Sequence, residues 1–439
     1  MARSNNSSPD VFLRSLLSED DINAAARAVG FRKRTGKIHA VGLVVAAVLS
    51  VCGREGQCIA AMRRIFMLRT NVKVARSAFY SRLSTAFEAL LGRLLDKLQR
   101  TAATREPALG GILRGFRDVV VVDSTVVKVR DELARVWKGT RKTRVAALKV
   151  HTWIRAVSGE LLKHRITAEA YGDCRAFGIT GLHRGVLFLL DRGYASPNLW
   201  RHIDQVGAFV LTRLPASHKP TIVGVNRTHR GRCRKLVGQR VGAAIKGLRR
   251  GILDVNCEFN VHIRGYAGKR GRYEKKVFRV IGIYNAETRC HHLYVTNLAP
   301  NRLVAAHAEH IYRMRWEVET FYKVNKSGLG LDELTSAKPH IVRIQVMAAL
   351  LRSSISMMSK RQAEAHLPAD RWINPMAWTQ FWTLYFDRLI EKYLGAFLKP
   401  LGHSWQTLVA MTLDPEVKRP PTRHWITNDS FCDYAELHA

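Results

Sequence analysis

The sequence predicts an α/β protein in which a mixed β-sheet with flanking helices follows a helical N-terminal region. Three observations lead to this prediction. Residues 1–110 show helical patterns with almost no strand signal, apolar strands begin at residue 118, and a polar helical segment follows near residue 312. Strands interspersed with helices along one chain are typical of folds in which helices cover a central sheet.

The N-terminal region contains a candidate DNA-binding helix pair. A capping box at 18–21 predicts the start of one helix. Further along, helices near 57–68 and 74–83 are joined by 69–71, and the second carries Arg76 and Tyr80. This spacing fits a helix-turn-helix that presents basic and aromatic groups to DNA. A helical bundle with a solvated basic face fits equally well. The apolar segment 40–52 is too short to span a bilayer and is predicted to be a core helix.

Two continuous apolar strands each run directly into an aspartate. Residues 118–122 precede Asp123, and residues 186–190 precede Asp191. Runs of β-branched and aliphatic residues of this length are typical of strands buried on both faces. The two aspartates would therefore lie where their strands leave the core, although an acid at a strand end can also serve only to cap a helix.

The segment between and after these strands predicts the order of a ribonuclease-H-like sheet. A hairpin turns at 158–160, a helical stretch runs from Asp173 to residue 183, and residues 198–206 and 208–214 form a helix and a strand. Asp173 is interpreted as a helix N-cap rather than a metal ligand. Because side chains alternate along a strand, Lys149 and His151 lie on the same face. They could border a site around Asp123, or have only a structural role.

Residues 215–299 become basic and strand-like, with a predicted pair of strands at 255–263 and 276–284 around a turn at 265–271. Charge runs are often only solvated surface. If the chain acts on DNA, phosphate contact becomes the better interpretation of this run. After residue 300, the segments 341–358 and 378–411 are apolar and helix-like, which fits core closure or a dimer contact.

One helical stripe adds a third carboxylate. At about 100° per residue, Tyr312, Arg315, Glu319 and Lys326 fall within a stripe about 60° wide, whereas Glu317 faces away. Trp316 could stack on a displaced base, but packing against the sheet is the favoured expectation.

These residues resemble a known family. The spacing Tyr312-x2-Arg315-x3-Glu319-x6-Lys326 is similar to the Y-x2-R-x3-E-x6-K signature of DDE transposases of the insertion-sequence 4 group, and the resemblance covers about residues 20–355. It implies cut-and-paste DNA transposition and contact of Tyr312, Arg315 and Lys326 with the transposon end. It also favours DNA-end binding by the N-terminal region, including the positions of Arg76 and Tyr80.

The implied chemistry is metal-dependent. Asp123, Asp191 and Glu319 are the candidate ligands of two Mg²⁺ ions, for which Mn²⁺ could substitute, because hard oxygen ligands suit these cations. The expected partners are double-stranded DNA, as terminal inverted repeats and target, and a second copy of the chain in a synaptic homodimer, with no membrane. The predicted divisions are helical 1–110, catalytic 111–214, basic β-rich 215–299, catalytic 300–355 and helical 356–439.

The composition agrees with a polyanionic partner. Lys and Arg number 71 against 35 Asp and Glu, which gives a formal charge of +36 and predicts salt-dependent binding to nucleic acid. Seven scattered cysteines without a C-x-x-C pair argue against a disulfide framework or a zinc site and fit a reducing cytoplasm. With the family resemblance, the expected localisation is the bacterial cytoplasm, at the nucleoid. Two alternatives stay open: a metal-dependent nuclease of the same fold, and a catalytically silent DNA-binding remnant.

Overall fold

The computed structural model describes residues 8–386 except 32–35, 52–58, 108, 228–234, 247, 249–250, 264–270, 324–325, 327–330, 332–333, 335, 369–370, 376 and 383–384. Several expectations fall outside this part of the chain: most of the predicted turn at 265–271, part of the basic run after residue 227, and the C-terminal segment beyond residue 386.

The first 104 residues contribute only helices to the described structure. The capping box at the second helix is present, since the Ser18 side chain accepts from the Asp21 N–H while the Asp21 carboxylate accepts from the Ser18 N–H. Every residue of the third helix is buried, as expected for its unbroken apolar sequence. The helices are α1 (Pro9–Leu16), α2 (Glu19–Ala28), α3 (Ala40–Ser50), α4 (Ile59–Thr70), α5 (Arg76–Arg82) and α6 (Thr85–Thr104).

The two aspartate-bearing strands lie side by side at the centre of one large sheet. The first strand pairs antiparallel with the long strand of the hairpin and parallel with the second aspartate strand. The long connection between the two parallel aspartate strands runs through the hairpin and a short helix, since parallel strands need a crossover connection. The elements are β1 (Asp118–Lys128), β2 (Lys138–Arg141), β3 (Arg144–Arg155), β4 (Leu161–Ala168), α7 (Asp173–Ala176), β5 (Val186–Leu190), α8 (Pro197–Gln205) and β6 (Phe209–Arg213).

The strands of the basic segment continue the same sheet. They are β7 (Thr221–Val225), β8 (Ile252–Ile263), β9 (Arg272–Asn285) and β10 (Cys290–Thr296), with α9 (Val241–Lys246) between the first two. The order across the sheet is β2-β3-β1-β5-β6-β10-β9-β8-β7, and β4 also pairs with β3. Because β10 pairs with β6, the described strands of this segment extend the central sheet and do not form a separate one.

The polar stripe does not lie on one continuous helix, which corrects the sequence expectation. Helix α10 (Ala308–Arg313) ends before α11 (Trp316–Lys323) begins, and the Arg315 N–H bonds to the Tyr312 carbonyl three residues back. Helix α12 (Pro339–Glu364) follows. It is long and apolar enough to cross a membrane by composition, but its most apolar window is 89% buried within the protein, as in a core helix.

The sheet separates two hydrophobic layers, and this arrangement directs the side chains of β1. Val119 and Val121 pack with the N-terminal helices and α12, whereas Val120 and Val122 pack with Phe177 and other residues of the opposite layer. Successive side chains of a strand point to opposite faces. Asp123 therefore projects toward the layer that contains α11, and Ser124 projects toward the layer that contains α7.

Candidate active site

Asp123 and Asp191 lie side by side, although only Asp191 is at a strand end. Strand β1 continues past Asp123, which pairs with Thr152 of β3, so the expectation that this strand ends at Asp123 is wrong. The parallel register of β1 and β5 pairs Val122 with Leu190, so the two aspartates follow paired residues. Burial raises the pKa of Asp123 to about 6, and the negative charge of Asp191 adds to this increase, although the hydrogen bond from the Ser124 N–H opposes it. A buried carboxylate beside a second one favours either a proton or a cation.

Arg315 lies between Asp123 and the third candidate acid. Its Nη2 is 2.5 Å from Glu319 Oε1, and its Nη1 is 3.9 Å from Asp123 Oδ2. The Arg315 side chain is only 13% exposed, which strengthens both interactions by excluding water. Despite the break between α10 and α11, Glu319 is therefore on the same side of the sheet edge as Asp123.

The other members of the signature take different positions. Tyr312 is buried, and its hydroxyl donates to the Leu190 carbonyl at 3.2 Å, directly before Asp191. Lys326 is half-buried. Glu317 lines a small cavity with Ser158 and other residues, away from the aspartates, as its helical angle predicted. DNA contacts of Tyr312 and Lys326 stay predictions.

The backbone that carries Asp123 is fixed from helix α11. The Tyr322 hydroxyl donates to the Asp123 carbonyl oxygen at 2.8 Å and accepts from the Thr152 hydroxyl, also at 2.8 Å. Burial raises the pKa of Tyr322 far above its ordinary value, so the phenol stays protonated and remains a donor. Tyr322 thus joins α11, β1 and β3 at the site.

Asp173 is not a helix N-cap, which corrects the sequence interpretation. Gly172 occupies the N-cap position, and the Asp173 carboxylate instead turns to the sheet edge. Its Oδ1 accepts from Ser124 Oγ at 2.8 Å, and its two oxygens lie 3.1 and 3.2 Å from Lys149 Nζ. The site therefore contains a fourth carboxylate, already paired with a lysine.

His151 has a structural environment. The ring is fully buried, Nε2 hydrogen-bonds to the Thr167 hydroxyl at 2.9 Å, and burial lowers its pKa to about 4. The imidazole is therefore neutral at physiological pH. Its Nδ1, however, has no hydrogen-bond partner among the residues that the structure describes and lies 3.7 Å from Asp173 Oδ1. The ring is therefore only partly satisfied and also borders the acidic cluster, so both roles left open for His151 stay predictions.

The carboxylates suit a hard divalent cation only in part. Asp123 and Asp191 offer adjacent oxygen donors, and the raised pKa of Asp123 shows a carboxylate whose ionised form would gain from a cation. Among the residues that the structure describes, no three His, Cys, Asp or Glu side chains converge closely enough to hold a metal. The guanidinium of Arg315 occupies the space between Asp123 and Glu319, so Glu319 could join the pair only if Arg315 moved.

The helix pair with Arg76 and Tyr80 is present. Helices α4 and α5 flank a turn in which Asn71 has a φ of 52°, a left-handed conformation that asparagine tolerates better than most residues. Arg76 is exposed, and its guanidinium lies 5.4 Å from the Tyr80 ring centroid. This geometry leaves the basic group available to a ligand, and DNA binding by it stays a prediction.

Trp316 does not pack against the sheet, contrary to the favoured expectation. It is 62% exposed and directly follows Arg315. An exposed tryptophan beside the acidic cluster offers a flat apolar surface to a ligand.

Three residues of the site were not predicted as such: Ser124, Tyr322 and Asp173. Tyr322 follows Glu319 by three positions, a spacing that places the two on neighbouring parts of a helix surface, so this signal was available. The Ser124–Asp173 contact joins residues 49 positions apart, and no local pattern in the sequence indicates it.

A family model matches this part of the chain. Residues 114–353 match the family model described as a transposase DDE domain, and this range contains all of the residues discussed at the sheet edge. One solved structure, described as a cryo-EM structure of the piggyBac transposase synaptic complex with hairpin DNA, is 7% identical with a TM-score of 0.48, covering 95% of this chain and 88% of that chain. No curated protein matches the chain.

Proposed function

The chain belongs to the transposase DDE domain family, and from this premise we propose that it cuts DNA at the ends of its own insertion sequence and joins those ends to target DNA. The observation that carries the proposal is the adjacency of Asp123 in β1 and Asp191 directly after β5, with Glu319 linked to Asp123 through Arg315. The Tyr-Arg-Glu-Lys spacing supports assignment to the insertion-sequence 4 group.

The strand order supports a ribonuclease-H-like core. Strands β4, β3 and β1 are antiparallel neighbours, and β5 and β6 continue from β1 in parallel. Asp191 directly follows the carboxyl end of β5, the kind of position at which open α/β sheets bind ligands, and Asp123 lies beside it in β1.

We assign Asp123, Asp191 and Glu319 as the ligands of divalent cations, Mg²⁺ or Mn²⁺. Bound there, the ions would activate a hydroxyl nucleophile and stabilise the leaving oxygen of a phosphodiester. Around them, Tyr322 holds the Asp123 backbone and Tyr312 holds the backbone before Asp191. These two phenols orient the carboxylates through the backbone.

Arg315 has two roles in this proposal. Without DNA, it neutralises Glu319 and Asp123. With DNA, its planar guanidinium can contact a phosphate through two parallel hydrogen bonds, and Lys326 adds a second positive charge. Movement of Arg315 from carboxylate to phosphate would release Glu319 at the moment the substrate arrives.

A homodimer assembled on two DNA ends in the bacterial cytoplasm completes the proposal, because a transposase has to bring both ends together. The net charge of +36 supports DNA as the partner.

Cleavage and strand transfer on labelled DNA carrying the element's own ends, with Mg²⁺, would test this function. The comparison is wild type against Asp123→Ala, Asp191→Ala and Glu319→Ala, with Glu317→Ala as a matched carboxylate control. We expect both activities to be lost in the first three variants and retained in the control. Cleavage without strand transfer would indicate a nuclease. DNA binding without any cleavage by wild type would indicate a silent remnant.

A further inference from the structure

The short helix α7 contacts both segments that carry the proposed ligand aspartates, one within β1 and one directly after β5. Asp173 Oδ1 accepts from Ser124 Oγ at 2.8 Å, directly after Asp123. The next residue, Cys174, donates from Sγ to the Gly193 carbonyl at 3.7 Å, two residues after Asp191. A Cβ built on Gly193 would lie 3.6 Å from Asp173 Oδ2. The Asp173 carboxylate therefore lies against both segments.

We propose that Asp173 is a positioning residue, and that through it α7 clamps the Asp123 and Asp191 segments in their relative position, with Lys149 as its charge partner. This inference rests on the proposed function for the meaning of that position. Asp173 itself acts through Ser124 and Gly193 and contacts no reacting group.

The first link of the clamp runs through Ser124 to Asp123. The Ser124 hydroxyl is bound to Asp173, while the Ser124 backbone N–H donates to Asp123 Oδ1 at 2.7 Å. Holding the Ser124 side chain restricts rotation of the peptide between the two residues. The direction of the Asp123 carboxylate is thereby fixed from the far side of the sheet, opposite to Tyr322.

The second link is electrostatic. The side chains of Lys149 and Asp173 are only 14% and 22% exposed, so neither charge is well screened by water. Lys149 is on β3, and its ammonium contacts both oxygens of Asp173. It allows a fourth carboxylate to approach an acidic centre without adding uncompensated negative charge.

Mutants of the pair separate positioning from simple packing. Asp173→Asn and Lys149→Met should each lower the cleavage rate constant about 10- to 100-fold, the usual cost of losing an outer-shell partner, while the Kd for end DNA changes little. Each single variant leaves one partly buried charge, that of Lys149 or that of Asp173, without its oppositely charged partner. The double variant removes both charges, so it should lose less activity than the product of the two single effects.

Asp96→Asn, an exposed acid on α6, is the matched control and should keep wild-type rates. Thermal unfolding of each variant separates a loss of stability from a loss of rate. Additive single effects that follow the unfolding midpoint would overturn the clamp in favour of an ordinary structural ion pair.

Hydrogen exchange tests the clamp without catalysis. In Asp173→Asn, the amides of 123–126 and 191–195 should both exchange faster, by about 10-fold if one hydrogen bond's worth of local stability is lost. Faster exchange in only one of these two segments, or in neither, would overturn the inference. If wild type fails to cut DNA but both segments respond, the proposed function fails while the clamp stands.

Discussion

Arg315 and Glu319 are joined across the first turn of α11 by a hydrogen bond of 2.5 Å between Nη2 and Oε1. The same guanidinium lies 3.9 Å from Asp123. An internal cation therefore bridges two of the three acids proposed to bind divalent ions. Two positive charges cannot share this space at low cost, so Arg315 and a metal ion should compete for the carboxylates.

We expect Arg315→Gln to bind Mn²⁺ more tightly than wild type in the absence of DNA. Removing a positive charge about 4 Å from the ligands is worth at least about 1 kcal/mol, or about a 5-fold lower Kd. Titration calorimetry with Mn²⁺ measures this directly. Arg313→Gln, an exposed arginine two positions away, is the control. Unchanged or weaker Mn²⁺ binding in Arg315→Gln would rule out the competition.

The raised pKa of Asp123 predicts a pH-dependent effect on stability. Because the pKa in the folded protein is about 6 against an ordinary value of 3.8, the folded state binds the proton more tightly, and ionisation destabilises it as pH rises from 4 to 7. Asp123→Asn removes this charge. It should stabilise the protein by about 3 kcal/mol at pH 7 without divalent ions, and by much less at pH 4.

Chemical denaturation at these two pH values, with a chelator present, measures the difference. Glu317→Gln provides a control carboxylate away from the aspartate pair. If Asp123→Asn increases the free energy of unfolding equally at both pH values, the raised pKa of Asp123 is contradicted.

The central strands could be predicted from sequence because their signal is local. The run before Asp123 contains four consecutive valines, which favours an extended strand buried on both faces. A parallel neighbour with the same pattern then places Asp191 beside it. The break between α10 and α11 could not be predicted in this way, since 313–316 contain neither glycine nor proline and the angular argument assumed a continuous helix.

Contacts between distant residues explain the rest of the difference. Tyr322 meets Asp123 across 199 positions of sequence, and Asp173 meets Ser124 only because β3 and β4 fold back beside β1. A carboxylate at the start of a helix is a normal capping signal. Only the position of α7 over the sheet edge shows that Asp173 bonds elsewhere.

The N-terminal helix pair makes a prediction about salt. If Arg76 contacts a DNA phosphate, Arg76→Gln should weaken binding to end DNA and reduce the slope of log K against log salt by about 0.9. Fluorescence anisotropy over a salt series gives the slope. Arg93→Gln, an exposed arginine on α6, should leave it unchanged. Equal slopes for wild type and Arg76→Gln would remove Arg76 from the DNA interface.

The exposed Trp316 predicts a separate contribution to DNA binding. Its ring is 62% exposed and follows Arg315 at the sheet edge, so a base displaced near the cut could stack on it. Stacking of one base on an aromatic ring is worth about 1–3 kcal/mol. Trp316→Ala should therefore raise the Kd for DNA with an unpaired base at the cleavage position by about 5- to 150-fold, and the Kd for fully paired DNA by less. Leu182→Ala, at a residue that is 82% exposed, is the control for loss of a surface hydrophobic side chain. Because Trp316 contributes little to the core, the thermal unfolding midpoint of Trp316→Ala should match that of wild type. Equal weakening for paired and unpaired DNA would instead assign the tryptophan to general contact with the backbone.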